Sequence, residues 1–149
     1  MNRDDYIAAL QAVLAAHDAA AEATLVGLFA ALPPRAQEIH IVVHPDQDGE
    51  GTFSVVASLS GPDLFVLNKA IEGHRYLFDV RHTAEGLWPE VPYFAHADAA
   101  FSVQDAIVDT AMAWVAARWA AVAPGRTTLP GWVYGEEGYG TTDPLALPA

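Results

Sequence analysis

Residues 38 to 59 alternate in hydropathy with a period of two, and this restricts the fold more than any other stretch. Ile39, Ile41 and Val43 alternate with Glu38, His40, Val42 and His44; further on, Phe53, Val55, Ala57 and Leu59 alternate with Thr52, Ser54, Val56 and Ser58. Successive side chains on a strand point to opposite faces, so the pattern reads as a hairpin of two half-buried antiparallel strands. Pro45-Asp-Gln-Asp-Gly-Glu-Gly51 between them supplies the turn, with glycines for positive φ and Asp side chains for nearby N–H groups. A sheet with one apolar face needs a cover.

Two helical patterns provide it. The first spans about residues 4 to 31, capped by Asp4 or Asp5, with Ile7, Leu10, Leu14, His17, Ala21, Leu25, Leu28 and Leu32 as one continuous stripe. Pro33-Pro34 ends it. The second spans about 103 to 122, opened by Ser102 and Asp105, with Val108, Met112, Val115, Trp119 and Val122 on one face, widened by Ile107, Ala111 and Trp114. Asp105 and Asp109 fall in its first turns, where the helix dipole favours negative charge. Between the hairpin and this helix, residues 64–71 read either as a short helix opened by Asp63 or as a strand running into one. Tyr76 to His82 reads as a third strand and Leu87 to Val91 as an edge strand, kept from the sheet centre by Pro89 and Pro92. The tail reads as one more strand from Leu129 to Tyr134, a glycine-rich turn and an extended end. The expected fold is a single α+β domain over 1–149, with a mainly antiparallel sheet of four to five strands covered by two long helices.

Composition narrows the partners. With 52% hydrophobic and 17% charged residues, the chain has the content of a globular core. Nineteen acidic against seven basic side chains give a formal charge of -12. Such a surface repels phosphate, which argues against nucleic acid, and attracts a basic protein partner; the plainer reading of the charge is solubility alone. The absence of Cys removes disulfides, thiolate nucleophiles and thiolate metal sites. No apolar run approaches bilayer length, so no membrane partner is expected. The start, Met1-Asn-Arg-Asp-Asp5, lacks the basic segment of a secretion signal, and a cytoplasmic location is expected.

Several groupings have chemical content. Asp46, Asp48 and Glu50 alternate as in the start of a calcium loop, but the position where an EF-hand needs its bidentate Glu is Ala57. An acidic structural turn is the main reading and a weak cation site the other. His40 and His44 share a face, yet lie roughly 13 Å apart along a strand, too far for one zinc ion. His17 lies on an apolar stripe and reads as a packed histidine; His74, His82 and His96 form no ligand spacing. Asp79, Arg81, His82 and Glu85 could support acid–base chemistry, with Glu85 orienting His82, though an Asp79–Arg81 ion pair explains part of the group. No serine elbow or phosphate loop is present, and Lys69 would serve as a Schiff-base amine only if desolvated. No cofactor is expected. Trp132, Tyr134 and Tyr139 lie among glycines with Glu136 and Glu137, a composition suited to an interface with a basic protein. The competing reading packs Trp132 on the sheet and Tyr139 in the turn.

Asp46-Gln-Asp-Gly-Glu-Gly51, Gly61-Pro-Asp-Leu64, Leu67-Asn-Lys-Ala-Ile71, Asp105-Ala-Ile-Val-Asp109 and Gly138-Tyr-Gly-Thr141 together resemble an uncharacterised family of small actinobacterial proteins. The resemblance spans most of the chain, implies no activity and lends no catalytic residues. In size, acidity and element order the chain is also similar to bacterial toxin-immunity proteins. The leading expectation is a non-catalytic domain whose acidic surface binds a basic protein through Trp132, Tyr134, Glu136, Glu137 and Tyr139, as an immunity-type protein would. The alternative is a small-molecule-binding or hydrolase-like enzyme with a pocket between sheet and helices using His82, Glu85 and Tyr93. A homodimer through the alanine-rich helix faces is a third.

Overall fold

The computed structural model describes residues 1–94 and 99–149. The hairpin forms as its alternation requires. Strand β1 (Glu38–Pro45) pairs antiparallel with β2 (Phe53–Ser60), with Ile41 opposite Ala57 and Val43 opposite Val55. Every inward residue from Ile39 to Val43 and from Phe53 to Leu59 is buried, and every outward one is part-exposed. A slip of one residue would exchange the two sets, so burial enforces this register.

The expected first helix is two helices, α1 (Arg3–Ala15) and α2 (Asp18–Ala30), bent by 58°. The bend is held at His17, whose Nδ1 lies 2.9 Å from the carbonyl oxygen of Val13, the group that His17's own backbone N–H would take in a straight helix; that N–H bonds the Leu14 carbonyl instead. Its ring packs against Phe78 and Trp88, bearing out the packed-histidine reading. Asn2 caps α1 in place of Asp4 or Asp5, its Oδ1 accepting from the Asp5 N–H at 2.7 Å. The buried stripe of α1 is Tyr6, Leu10 and Leu14, with Ile7 only half-buried.

Helix α3 (Leu64–Ala70) decides the ambiguity after Gly61 in favour of a helix, with Asp63 as its cap. The third strand is shorter than expected. β3 (Tyr76–Asp79) ends beside β2, and the chain turns out of the sheet at Val80. β4 (Arg81–Thr83) then pairs with β5 (Gly86–Trp88) as a separate two-stranded ribbon, so Leu87–Val91 is not an edge strand of the main sheet. A register irregularity between Val55 and Val56 accompanies this exit. Helix α4 (Val103–Val122) runs as expected, with Ser102 Oγ accepting from the Asp105 N–H at 3.2 Å.

The tail adds two strands where one was expected. β6 (Gly131–Gly135) lies parallel to β1, and β7 (Leu145–Leu147) pairs antiparallel with β6. The sheet order is β3-β2-β1-β6-β7, mixed but mostly antiparallel. Asp105 and Asp109 do more than complement the helix dipole. Asp105 accepts from the Gly140 N–H, and Asp109 accepts from the N–H and hydroxyl of Thr141 and the N–H of Thr142, fastening the tail to α4.

The core is one cluster between the inward sheet face and helices α1, α2 and α4. Trp119 is its largest fully buried side chain; its ring meets Phe29 edge-on and its indole N–H donates to the Pro148 carbonyl at 2.7 Å. Gly131 permits this approach, since a Cβ there would stand 2.7 Å from the Trp119 ring. Gly131→Ala should therefore cost about 1–3 kcal/mol through overpacking, measured by urea denaturation; an unchanged midpoint would contradict the contact.

The acidic loop is built as a turn. The Asp46 carboxylate accepts from the N–H groups of Glu50, Gly51 and Thr52 and from the Thr52 hydroxyl, at 2.8 to 3.0 Å. Burial alone would raise its pKa, but these bonds together outweigh it and hold the carboxyl below the usual range. With the folded value below the unfolded one, the bonds stabilise fully above about pH 4 and the contribution is lost as pH falls through the folded value. Asp46→Asn should lower stability at neutral pH and make the acid limb of the stability profile shallower, as followed by circular dichroism; parallel profiles would contradict this.

Candidate functional site

The helices take one face of the sheet and leave the other. On β1 the outward residues are Glu38, His40, Val42 and His44, and on β2 they are Ser54, Val56, Ser58 and Ser60, all part-exposed. On β6 they are Trp132, beside His40, and Tyr134, beside Val42. The parallel pairing of β1 with β6 thus brings two aromatic side chains beside a row made of one acid, two histidines and a valine.

These groups form a chain of contacts. The Trp132 indole N–H donates to Glu38 Oε2 at 3.1 Å. Glu38 Oε1 lies 3.5 Å from His40 Nε2, and His40 Nδ1 lies 3.0 Å from the Tyr134 hydroxyl. His44 Nδ1 is 3.1 Å from Glu136 Oε2. The His40 and Tyr134 rings meet edge-on, which adds packing to the hydrogen bond. Burial, and then the charge of Glu38, raise the Tyr134 phenol above its ordinary value. Tyr134 therefore stays a neutral phenol, fixed in direction and suited to hydrogen bonding.

Beside Tyr134 a cleft of about 480 Å³ is lined by Glu137, Tyr139, Thr141, Thr142 and Asp143 among others. All five interface residues expected from the sequence therefore gather here. Trp132 and Tyr134 lie on the outward sheet face, Glu136 meets His44, and Glu137 and Tyr139 border the cleft. Tyr139 also packs half-buried against the core, so it serves both readings. Glu38, His40 and His44 were not assigned to this surface. The signal for them was the alternation itself, which places all three outward; the pairing with β6, some ninety positions away, was not readable.

The surface has one sign of fixed charge. No Lys or Arg occurs from residue 36 to residue 68 or after residue 126, so four of the five strands contain none, and neither does β3. The cations lie instead on the helices, loops and ribbon: Arg118 pairs with Asp18 and Glu22, Arg81 with Asp79 at 2.8 Å, and Arg3 approaches Asp109.

The other expected residues are placed differently. His82, Glu85 and Tyr93 line one cleft of about 480 Å³ with Leu87 and Glu90, but it lies beside the ribbon and not between sheet and helices as expected. None of the three hydrogen-bonds another: Glu85 accepts from the Thr83 hydroxyl, and Tyr93 donates to Glu50 Oε2 at 2.6 Å. That bond, more than any other influence, raises the Tyr93 pKa. Asp79 and Arg81 form the ion pair of the simpler reading. Asp46 and Glu50 are engaged with backbone N–H groups and Tyr93 respectively, and among the described residues no three His, Asp or Glu side chains converge as metal ligands. His74 stands against Gly27, Lys69 is exposed, and His96 lies outside the described residues. Among the described residues no single helix is long and apolar enough to cross a membrane.

A family model matches residues 1–149, the whole chain. The protein belongs to DUF6389, a family of unknown function. No curated protein and no solved structure matches it. Membership in DUF6389 bears out the resemblance in the motifs and carries no activity with it, so a functional reading rests on the surface itself. The electrostatic part of that surface can be tested directly. Glu38→Gln should lower the Tyr134 pKa while leaving it above an ordinary phenol, because burial remains. A phenolate absorbance titration, differenced against Tyr134→Phe, would show this; an unchanged value would contradict the Glu38 influence.

Proposed function

We propose that this DUF6389 protein is a binding domain whose uncovered sheet face docks a basic protein partner, in the manner of an immunity-type protein that neutralises its target. The observation that carries the reading is the combination of Trp132 and Tyr134 with Glu38 on one face of strands without a single Lys or Arg, with Glu136 beside His44 and Glu137 at the cleft next to Tyr134. Aromatic side chains held by hydrogen bonds lose little freedom on binding and anchor interfaces well. The surrounding carboxylates attract a cationic surface and speed its encounter. His40 and His44 each face a carboxylate and a strand of serines or aromatics, which suits donors and acceptors on a partner's side chains or backbone. The absence of a hydrogen bond among His82, Glu85 and Tyr93 makes the ribbon cleft the weaker basis for a function.

The test compares the wild-type chain with a Glu38→Lys/Glu136→Lys variant and with Trp132→Ala as immobilised baits at low and moderate salt. The expected result is a basic protein held by the wild type, released as salt rises, and lost from both variants. Retention of the same proteins by all three baits would overturn the proposal.

A further inference from the structure

Helix α3 presents three consecutive apolar side chains to solvent: Leu64, Phe65 and Val66 are 57%, 75% and 57% exposed. A loosely held helix does not account for this, because its other side is fastened. Leu67 and Ile71 are buried in the core, and the Asn68 side chain bonds both backbone groups of Leu59, at 2.8 and 3.2 Å. That amide also closes the part of the β2 edge that β3 leaves open. A run of exposed apolar side chains on a rigid support marks a contact surface.

The charges around it differ from those elsewhere. Phe65, Asn68, Lys69, Glu72 and Arg75 line a cleft of about 370 Å³. Lys69 stands 5.8 Å from the Phe65 ring centre, and Arg75 Nε is anchored to the Ala57 carbonyl at 2.9 Å. Among the described residues neither cation forms an ion pair, and with Asp63 and Glu72 they make a patch of both signs on a chain of formal charge -12.

We propose that this patch is a two-fold interface with a second copy of the same chain, in which Phe65 of each copy enters the cleft of the other and Lys69 and Arg75 meet Glu72 across the axis. A patch with both signs around an apolar centre is complementary to itself, as an isologous contact requires. Two copies this acidic repel each other through most approaches, above all through their sheet faces, and least through α3. An anionic membrane would meet the same net repulsion. The alanine-rich helix faces expected to pair expose mainly small side chains such as Ala12, Ala23 and Ala117, with less apolar surface to bury per residue than Phe65.

Sedimentation equilibrium of the full chain tests the proposal. The mass should rise from monomer toward dimer with concentration, and more readily at high salt, which screens the net repulsion and leaves the apolar contact. Phe65→Asp should weaken association by about tenfold or more without changing the circular dichroism. Lys69→Glu should weaken it as well, and Lys69→Glu/Glu72→Lys should restore it. A monomer mass at every concentration would overturn the proposal, as would a dimer indifferent to Phe65→Asp.

Discussion

The in-register pairing of β1 with β2 decides what every other element can do. Because each strand alternates strictly, seven side chains from Ile39 to Leu59 enter the core together, and Glu38, His40, Val42 and His44 are left outward together. The inward set is too apolar to remain in water, so α1, α2 and α4 are drawn to that face. The outward set is polar enough to need no cover. One constraint therefore produces both the core and the open face.

The tail completes that face. β6 enters beside β1 in parallel and sets Trp132 and Tyr134 against Glu38 and His40. It is held there from behind, by the Trp119 bond to Pro148 and by Asp105 and Asp109 on the turn that follows β6. The aromatic positions are thus fixed by contacts on the opposite side of the sheet from the surface they present. Charge is partitioned in the same way: no Lys or Arg lies in the five strands of the main sheet, while Arg118 and Arg81 pair with carboxylates on the helical side and the ribbon.

Local pattern was enough to find the hairpin and α4, because periodicity and capping are written within a few residues. It was not enough where the cause lies far along the chain. The stripe of the first helix runs unbroken through His17, and only the side chain's bond to Val13 and its packing on Phe78 and Trp88 reveal the bend. The exit of the chain at Val80 follows from pairing with β2, and the parallel placement of β6 from a long connection through α4. For the candidate surface, Trp132, Tyr134 and the adjacent acids stood out by composition, whereas their partners Glu38 and His40 needed the register between strands. His82, Glu85 and Tyr93 line one cleft, but beside the ribbon and not between sheet and helices, and their proximity did not become a hydrogen-bonded arrangement.

What separates recognition from catalysis here is where binding protects the chain. The most direct measurement is side-chain footprinting, by histidine acylation and hydroxyl radicals, of the free chain and of the chain bound to a captured basic partner. The account predicts that labelling falls at His40, His44, Trp132 and Tyr134 and is unchanged at His82 and Tyr93. Protection confined to His82 and Tyr93, with the sheet face labelled as before, would contradict it.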